Sequence, residues 1–149
     1  MLMKDAVLSG TPDYVIEAYE TLADRAKTRS FGLIEDDVIV LDTETTGLSL
    51  QDNKLIEISA ARLRGREVVE RFDTFVHPGC PIPAEITRLT SIIDADVADA
   101  PSAEEAVAAL EEFVGGCPVI AHNATFDRSF IESVKGGVRV SDIWIDSLA

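Results

Sequence analysis

The order of apolar runs, turns and helix caps predicts an α/β domain with elements in β-β-β-α-β-α order, and three observations carry that reading. Val38-Ile39-Val40-Leu41 is a continuous apolar run after the charged Glu35-Asp36-Asp37, the pattern of a strand covered on both faces. Two strand-like segments, 55–63 and 67–76, flank Arg64-Gly65-Arg66, a short turn of the kind that joins antiparallel neighbours. Ser102 and Glu105 form a capping box that opens a helix running to Val114 and stopping at Gly115-Gly116, after which Pro118 to Ala121 is another short apolar strand.

The remaining elements follow from the same signals. Ahead of the first strand, Val15, Ile16, Ala18, Tyr19, Leu22, Ala23 and Ala26 keep to helical spacing over 11–27, with Thr11 as N-cap and Pro12 at the first helical position. Residues 1–34 are therefore expected to be an extension with one amphipathic helix, and 35–149 the main domain, C-terminally incomplete. Pro83 is placed to start a short helix through Leu89. Asn123 is placed to cap a helix from Ala124 to Lys135, ended by Gly136-Gly137. The remainder reads as one more strand entering a final helix.

A chain of 149 residues with 46% hydrophobic and 27% charged residues has the balance of a water-soluble globular domain. No apolar run reaches the ~20 residues a membrane helix needs, and the N-terminus lacks the apolar core of a secretory signal, so the expected location is cytoplasmic with no membrane partner. Cys80 and Cys117 stand in no metal-ligand spacing, which argues against a disulfide framework or a structural zinc site. The net charge of −14 opposes nucleic-acid binding, because phosphate contacts are dominated by Lys and Arg. Bound divalent cations reverse that local field where carboxylates hold them.

Two clusters carry chemistry. Asp42 and Glu44 follow the first apolar run two residues apart, and the two-residue period of an extended chain puts both carboxylates on one face. Paired carboxylates at the end of a buried strand repel each other and call for a cation, a shared proton or a basic partner. Neither neighbour is basic. An isolated Asp-x-Glu after a strand is also an ordinary polar turn. The second cluster, His122-Asn123-Ala124-Thr125-Phe126-Asp127, lies where a strand hands over to a helix, a position where α/β sites collect. Taken alone it reads as a capping segment, with Asp127 favoured by the helix dipole.

Together the clusters resemble the DnaQ-like, or DEDD, family of 3′-5′ exonucleases over nearly all of 37–149, and specifically the proofreading domains of polymerase-III type. VIVLDTETTGL resembles that family's first motif, LIEISAARL and FDTFVHPGCPIPAEITRLT its following strands and loop, and VIAHNATFDRSFI its second motif. The resemblance implies an RNase H-like fold, a central mixed sheet with helices on both sides. It implies Asp42, Glu44 and Asp127 as catalytic metal ligands for two Mg²⁺ or Mn²⁺ ions, and Thr45, Thr46 and Gly47 as the stretch lining the terminal nucleotide. His122 and Asn123 are further substrate-contact candidates, although Asn123 is read first as a helix cap and Gly47 equally as a turn residue. The implied substrate is the single-stranded 3′ end of DNA, with RNA as the alternative, and the implied partner is a DNA polymerase subunit.

The family's third motif is a His followed by an Asp five positions later. His122 and Asp127 have that spacing but already fill the second motif, and five positions after His77 stands Ile82. The third motif is therefore expected beyond Ala149, and the chain by itself is expected to be inactive or nearly so. At Ser91 the family commonly has glycine. Phe126 and Trp144 are expected in the core. Two other readings compete: a haloacid-dehalogenase-type phosphatase, which wants a second Asp where Glu44 stands, and a non-catalytic fragment that binds nucleic acid or a polymerase.

Overall fold

The computed structural model describes residues 37–134 and 139–148. The helix expected over 11–27 and the end of the helix expected at 135–137 lie outside the described residues. Strands β1 (Val38–Thr45), β2 (Leu55–Arg64) and β3 (Glu67–Phe75) open the domain, followed by helices α1 (Ala84–Thr90), α2 (Asp94–Val97) and α3 (Ala103–Val114). Strand β4 (Val119–Ala121), helix α4 (Ala124–Glu132) and strand β5 (Trp144–Asp146) complete it. The strands form one mixed sheet in the order β3-β2-β1-β4-β5. The β1–β2 and β2–β3 pairs are antiparallel, and β1–β4 and β4–β5 are parallel.

The expected element order holds, and each boundary has a local cause. Gly65, at φ 61°, makes the β2–β3 turn. Ser102 accepts the Glu105 N–H while the Glu105 carboxylate accepts the Ser102 N–H, and Gly115 at φ 57° ends α3 in the left-handed region. The four-residue α2 was not expected; it starts without a side-chain oxygen at its N-cap, Ile93, whose N–H donates to the Asp96 carboxylate instead.

The core lies on one side of the sheet. Ile39 and Leu41 of β1, Ile58 and Ala60 of β2 and Val119 of β4 meet Ala106, Val107, Leu110 and Val114 of α3 and Phe130 and Ile131 of α4. Each fully buried Val, Leu, Ile or Phe side chain among them contributes about 1.5–3 kcal/mol of transfer free energy. Phe126 and Trp144 pack against the same cluster, as expected. A satellite cluster of Ile56, Ile82, Ile92 and Val97 anchors the segment carrying α1 and α2. Across the sheet, Arg62 donates to Glu70, to the Cys117 thiol and to the Phe113 carbonyl, tying the end of α3 to β2. Cys80 and Cys117 are free thiols. Among the described residues no helix is long and apolar enough to cross a membrane.

One expectation is corrected. The apolar run of β1 is covered on the Ile39 face and only in part on the other: Val38, Ile39 and Leu41 are buried, whereas Val40, on the same face as Val38, is 40% exposed. Helices α3 and α4 both pack on the Ile39 face. A run of four apolar residues cannot report which alternate side chains find a partner, since that depends on helices brought in from later in the chain.

Ser91 occupies the left-handed position at the end of α1, at φ 65° and ψ 3°, with its N–H on the Thr87 carbonyl. This is a helix-stop position that favours glycine, and it gives a backbone reason for the glycine common there in the family the sequence resembles. Ser91→Gly is expected to raise stability by about 0.5–1 kcal/mol, relief of the left-handed strain exceeding the added unfolded-state entropy. Thermal or urea unfolding checks this; a lower melting temperature would show that the serine is not strained.

Candidate active site

Strand β1 is longer than β4, its parallel neighbour, and the site forms where β4 ends. The Ile39 N–H donates to the Pro118 carbonyl at 2.9 Å, so N–H groups four residues apart along β1 point towards the β4 side. The parallel register runs Ile39↔Val119 and Val40↔Ile120, and β4 ends at Ala121. Continued, it would set Thr43 opposite Asn123, where the chain has turned away with φ 63° and ψ 57°. The Thr43 N–H therefore has no strand partner. It donates instead to Oδ1 of Asp127 at 3.0 Å, and the Thr43 hydroxyl donates to the same oxygen at 2.6 Å.

This places Asp127, only 2% exposed, in the first turn of α4 against the edge of β1. Asp42 and Glu44 flank Thr43 on the opposite face of the strand, Asp42 exposed and Glu44 half-buried. Burial raises the Asp127 carboxyl above its ordinary range against the lowering effect of the Thr43 bonds, and the Asp42 charge raises it further. Glu44 is likewise raised by burial and then by Asp42, Glu57 and Asp127. Among the described residues no ion pair neutralises these carboxylates.

Glu57, which the sequence reading missed, belongs to the same electrostatic group. The antiparallel register sets it directly across from Glu44, and burial, Asp73 and Asp42 raise its carboxyl. Only strand register brings it there, so sequence spacing held no signal for it.

As they stand, no three His, Cys, Asp or Glu side chains among the described residues converge into a complete cation cage. The donor set is nonetheless that of a hard, oxygen-seeking cation: carboxylates only, mutually repelling, with one oxygen of Asp127 fixed by Thr43. Mg²⁺ is usually held by one or two carboxylates completed by water and substrate phosphate rather than by an all-protein cage. An incomplete carboxylate set therefore fits such an ion.

The segment after Glu44 is a built turn. The β1–β2 register slips between Glu44 and Thr45, a bulge that redirects the chain beside the carboxylates. Thr45 and Thr46 are buried, and their hydroxyls are spent internally: Thr45 donates to the Gly47 carbonyl at 2.6 Å, and Thr46 accepts the Lys54 N–H at 3.0 Å. Asn53 accepts the Ser49 N–H at 2.8 Å, and a Cβ on Gly47 would lie 2.6 Å from the same Asn53 oxygen. Gly47 is thus required by the turn itself. Leu48, immediately after it, is an apolar side chain left 86% exposed.

His122 and Asn123 are both exposed. His122 Nδ1 pairs with the Ser147 hydroxyl at 3.1 Å. Asn123 sits at the N-cap of α4 but makes no side-chain cap bond, which corrects the expected mechanism. Its left-handed backbone, which Asn tolerates, turns the chain, and Asp146 of β5 accepts the Asn123 N–H at 2.9 Å. The bonds from Leu148, Asn123 and Ala124 hold the Asp146 carboxyl below its ordinary range.

The sequence profile of an exonuclease family of the RNase T type matches residues 39–134. The chain is 43% identical over 117 residues to a DNA polymerase III PolC-type of Caldanaerobacter subterraneus subsp. tengcongensis, covering 77% of this chain and 8% of that protein. It is 39% identical over 126 residues to the same type of polymerase from Clostridium perfringens, covering 85% of this chain and 8% of that one. The chain thus spans about 8% of the length of these curated relatives. Among solved structures it is similar to exonuclease X in complex with 5′ overhanging duplex DNA, at 27% identity and a TM-score of 0.57, covering 73% of this chain and 58% of that one.

Two tests follow from the geometry. Because the Asp127 carboxyl is raised above its ordinary 3.8, the folded protein binds that proton more tightly than the unfolded chain does. The cost of its charge is therefore absent below that ordinary value and grows as pH rises through the folded value. Asp127→Asn keeps an oxygen for both Thr43 donors and removes the charge. In cation-free buffer it should melt higher than the wild type at pH 7, with the gain vanishing at the acid end; a variant that melts lower at pH 7 would contradict this. Gly47→Ala should cost about 1–3 kcal/mol by overpacking Asn53, measured by urea unfolding, and most of that cost should disappear in an Asn53→Ala background.

Proposed function

This chain belongs to the exonuclease family of the RNase T type, with the RNase H-like α/β fold of its structural neighbours, and from that premise we propose a metal-dependent 3′-5′ exonuclease domain acting on DNA 3′ ends. The observation that carries the proposal is the docking of the buried Asp127 of α4 on Thr43, the residue between Asp42 and Glu44 of β1, with none of the three carboxylates neutralised by a described basic residue. Asp42, Glu44 and Asp127 would hold Mg²⁺ or Mn²⁺, which supplies charge to bind the scissile phosphate and lowers the pKa of an attacking water. With two such ions, three carboxylates would leave the site with one net positive charge, so an acidic protein can attract a phosphate locally.

The residues around the carboxylates orient the strand end. The buried turn of Thr45, Thr46 and Gly47 presents backbone beside Glu44, and the exposed Leu48 offers an apolar surface to a terminal base. His122 and Asn123 stand at the mouth of α4 as polar contacts. The PolC-type relatives are DNA polymerases, which supports a single-stranded DNA 3′ end as substrate and a polymerase as the partner.

The general base and fourth carboxylate implied by the family resemblance have no counterpart among these 149 residues, where the only His–Asp pair at the required spacing is His122 with Asp127. Residues 1–149 alone are therefore expected to cleave at least about 100-fold more slowly than a polypeptide that also carries a third motif, since general-base catalysis is worth about 10²- to 10⁴-fold. A 5′-labelled single strand incubated with Mg²⁺, Mn²⁺ or EDTA reads both polarity and metal dependence. The extended polypeptide should yield a ladder shortening from the 3′ end, abolished by EDTA and by Asp42→Ala. Undiminished cleavage in EDTA, or by the Asp42→Ala variant, would overturn the proposal.

A further inference from the structure

Between the two proposed ligands of β1 stands a residue whose contacts differ from those of the other threonines in the same run. Thr45 and Thr46 spend their hydroxyls on the turn, whereas both polar groups of Thr43 with a hydrogen to give, N–H and O–H, go to a single carboxylate oxygen, Oδ1 of Asp127. The hydroxyl bond, at 2.6 Å, is in the range of charge-assisted O–H···O⁻ bonds. Thr43 is buried and β-branched, so its side chain has little freedom to point elsewhere. Asp127 is buried as well, and a carboxylate removed from water takes its orientation from whatever donors the protein supplies. With Oδ1 engaged by Thr43, the other oxygen, Oδ2, is left for another partner.

We propose that Thr43 is a positioning residue of the cation site: by anchoring Oδ1 it fixes the plane of the Asp127 carboxylate so that Oδ2 is presented to the ion shared with Asp42 and Glu44. The inference rests on the metal-dependent reading above and adds a role for the central residue of the Asp-x-Glu motif, beyond side-chain alternation. A hydrophobic residue of the same shape would keep the strand and the backbone N–H bond but release one of the two anchors. Partners that orient metal ligands in this way are typically worth 10- to 100-fold in metal affinity.

The test is Mn²⁺ binding to the 149-residue chain, followed by loss of the free-ion paramagnetic resonance signal, for wild type, Thr43→Val, Thr43→Ser and Asp42→Ala, with thermal melting of each in cation-free buffer. Thr43→Val should weaken Mn²⁺ binding about 10-fold or more while remaining folded, and Thr43→Ser, which restores the hydroxyl, should recover most of the affinity. Thr43→Ala replaces the valine variant if the latter does not fold. A merely structural role would lower the melting temperature without changing the affinity of the folded protein. Wild-type affinity in a folded Thr43→Val or Thr43→Ala variant, with binding lost in Asp42→Ala, overturns this inference and leaves the metal site standing. Wild-type affinity in Asp42→Ala overturns the metal site itself and this inference with it.

Discussion

The candidate site depends on a mismatch in strand length. Strand β1 runs on past the end of β4, and a backbone N–H that would otherwise face a neighbouring strand is left at a buried edge, where an unpaired donor costs ~1–3 kcal/mol. Asp127 fills that place, accepting from both the N–H and the hydroxyl of Thr43. The same contact satisfies the edge, docks the first turn of α4 on β1 and brings a carboxylate from a late helix beside two carboxylates from the first strand. The end of the parallel pair, where α/β folds open a crevice beyond their strands, thus becomes the place where charge is concentrated.

Concentrating that charge works against the fold. Burial raises Asp127, Glu44 and Glu57 alike, and their mutual repulsion adds to it, so the sheet edge is less stable as a set of free anions than a neutral edge would be. The surrounding structure offsets this with rigidity elsewhere. The turn after Glu44 is closed by Thr45, Thr46, Ser49 and Asn53, and the helix that carries Asp127 is capped by Asp146 from a neighbouring strand. A cation held by the carboxylates would reverse the sign of the field, which would reconcile a chain of net charge −14 with the phosphodiester substrate proposed for it.

Asp146 and Asn123 show how a motif can be placed correctly and still mislead about mechanism. Asn at a strand-to-helix junction reads as a side-chain cap, because Asn is among the best N-cap residues. Here the side chain makes no cap bond, and the residue serves through its tolerance of the left-handed backbone, while a carboxylate 23 residues later receives the exposed N–H. The choice between those two uses of Asn turns on what lies next to the helix end, namely β5.

The local elements and the identity of the candidate ligands were legible in the sequence by itself, because each is written in neighbouring residues. Period-two alternation set Asp42 and Glu44 on one face of β1, the Ser102–Glu105 box and Gly115 delimited α3, and two motifs in order pointed to Asp127. The uneven cover of β1, the pairing of Glu57 with Glu44, the Asp146 cap and the two bonds from Thr43 to Asp127 were decided only by the tertiary structure. The physical reason is common to all four. Each joins groups from different elements, 84 residues apart in the case of Thr43 and Asp127, and depends on strand register or helix docking. Composition and local spacing constrain which residues can make such contacts, but the global packing selects which of them do.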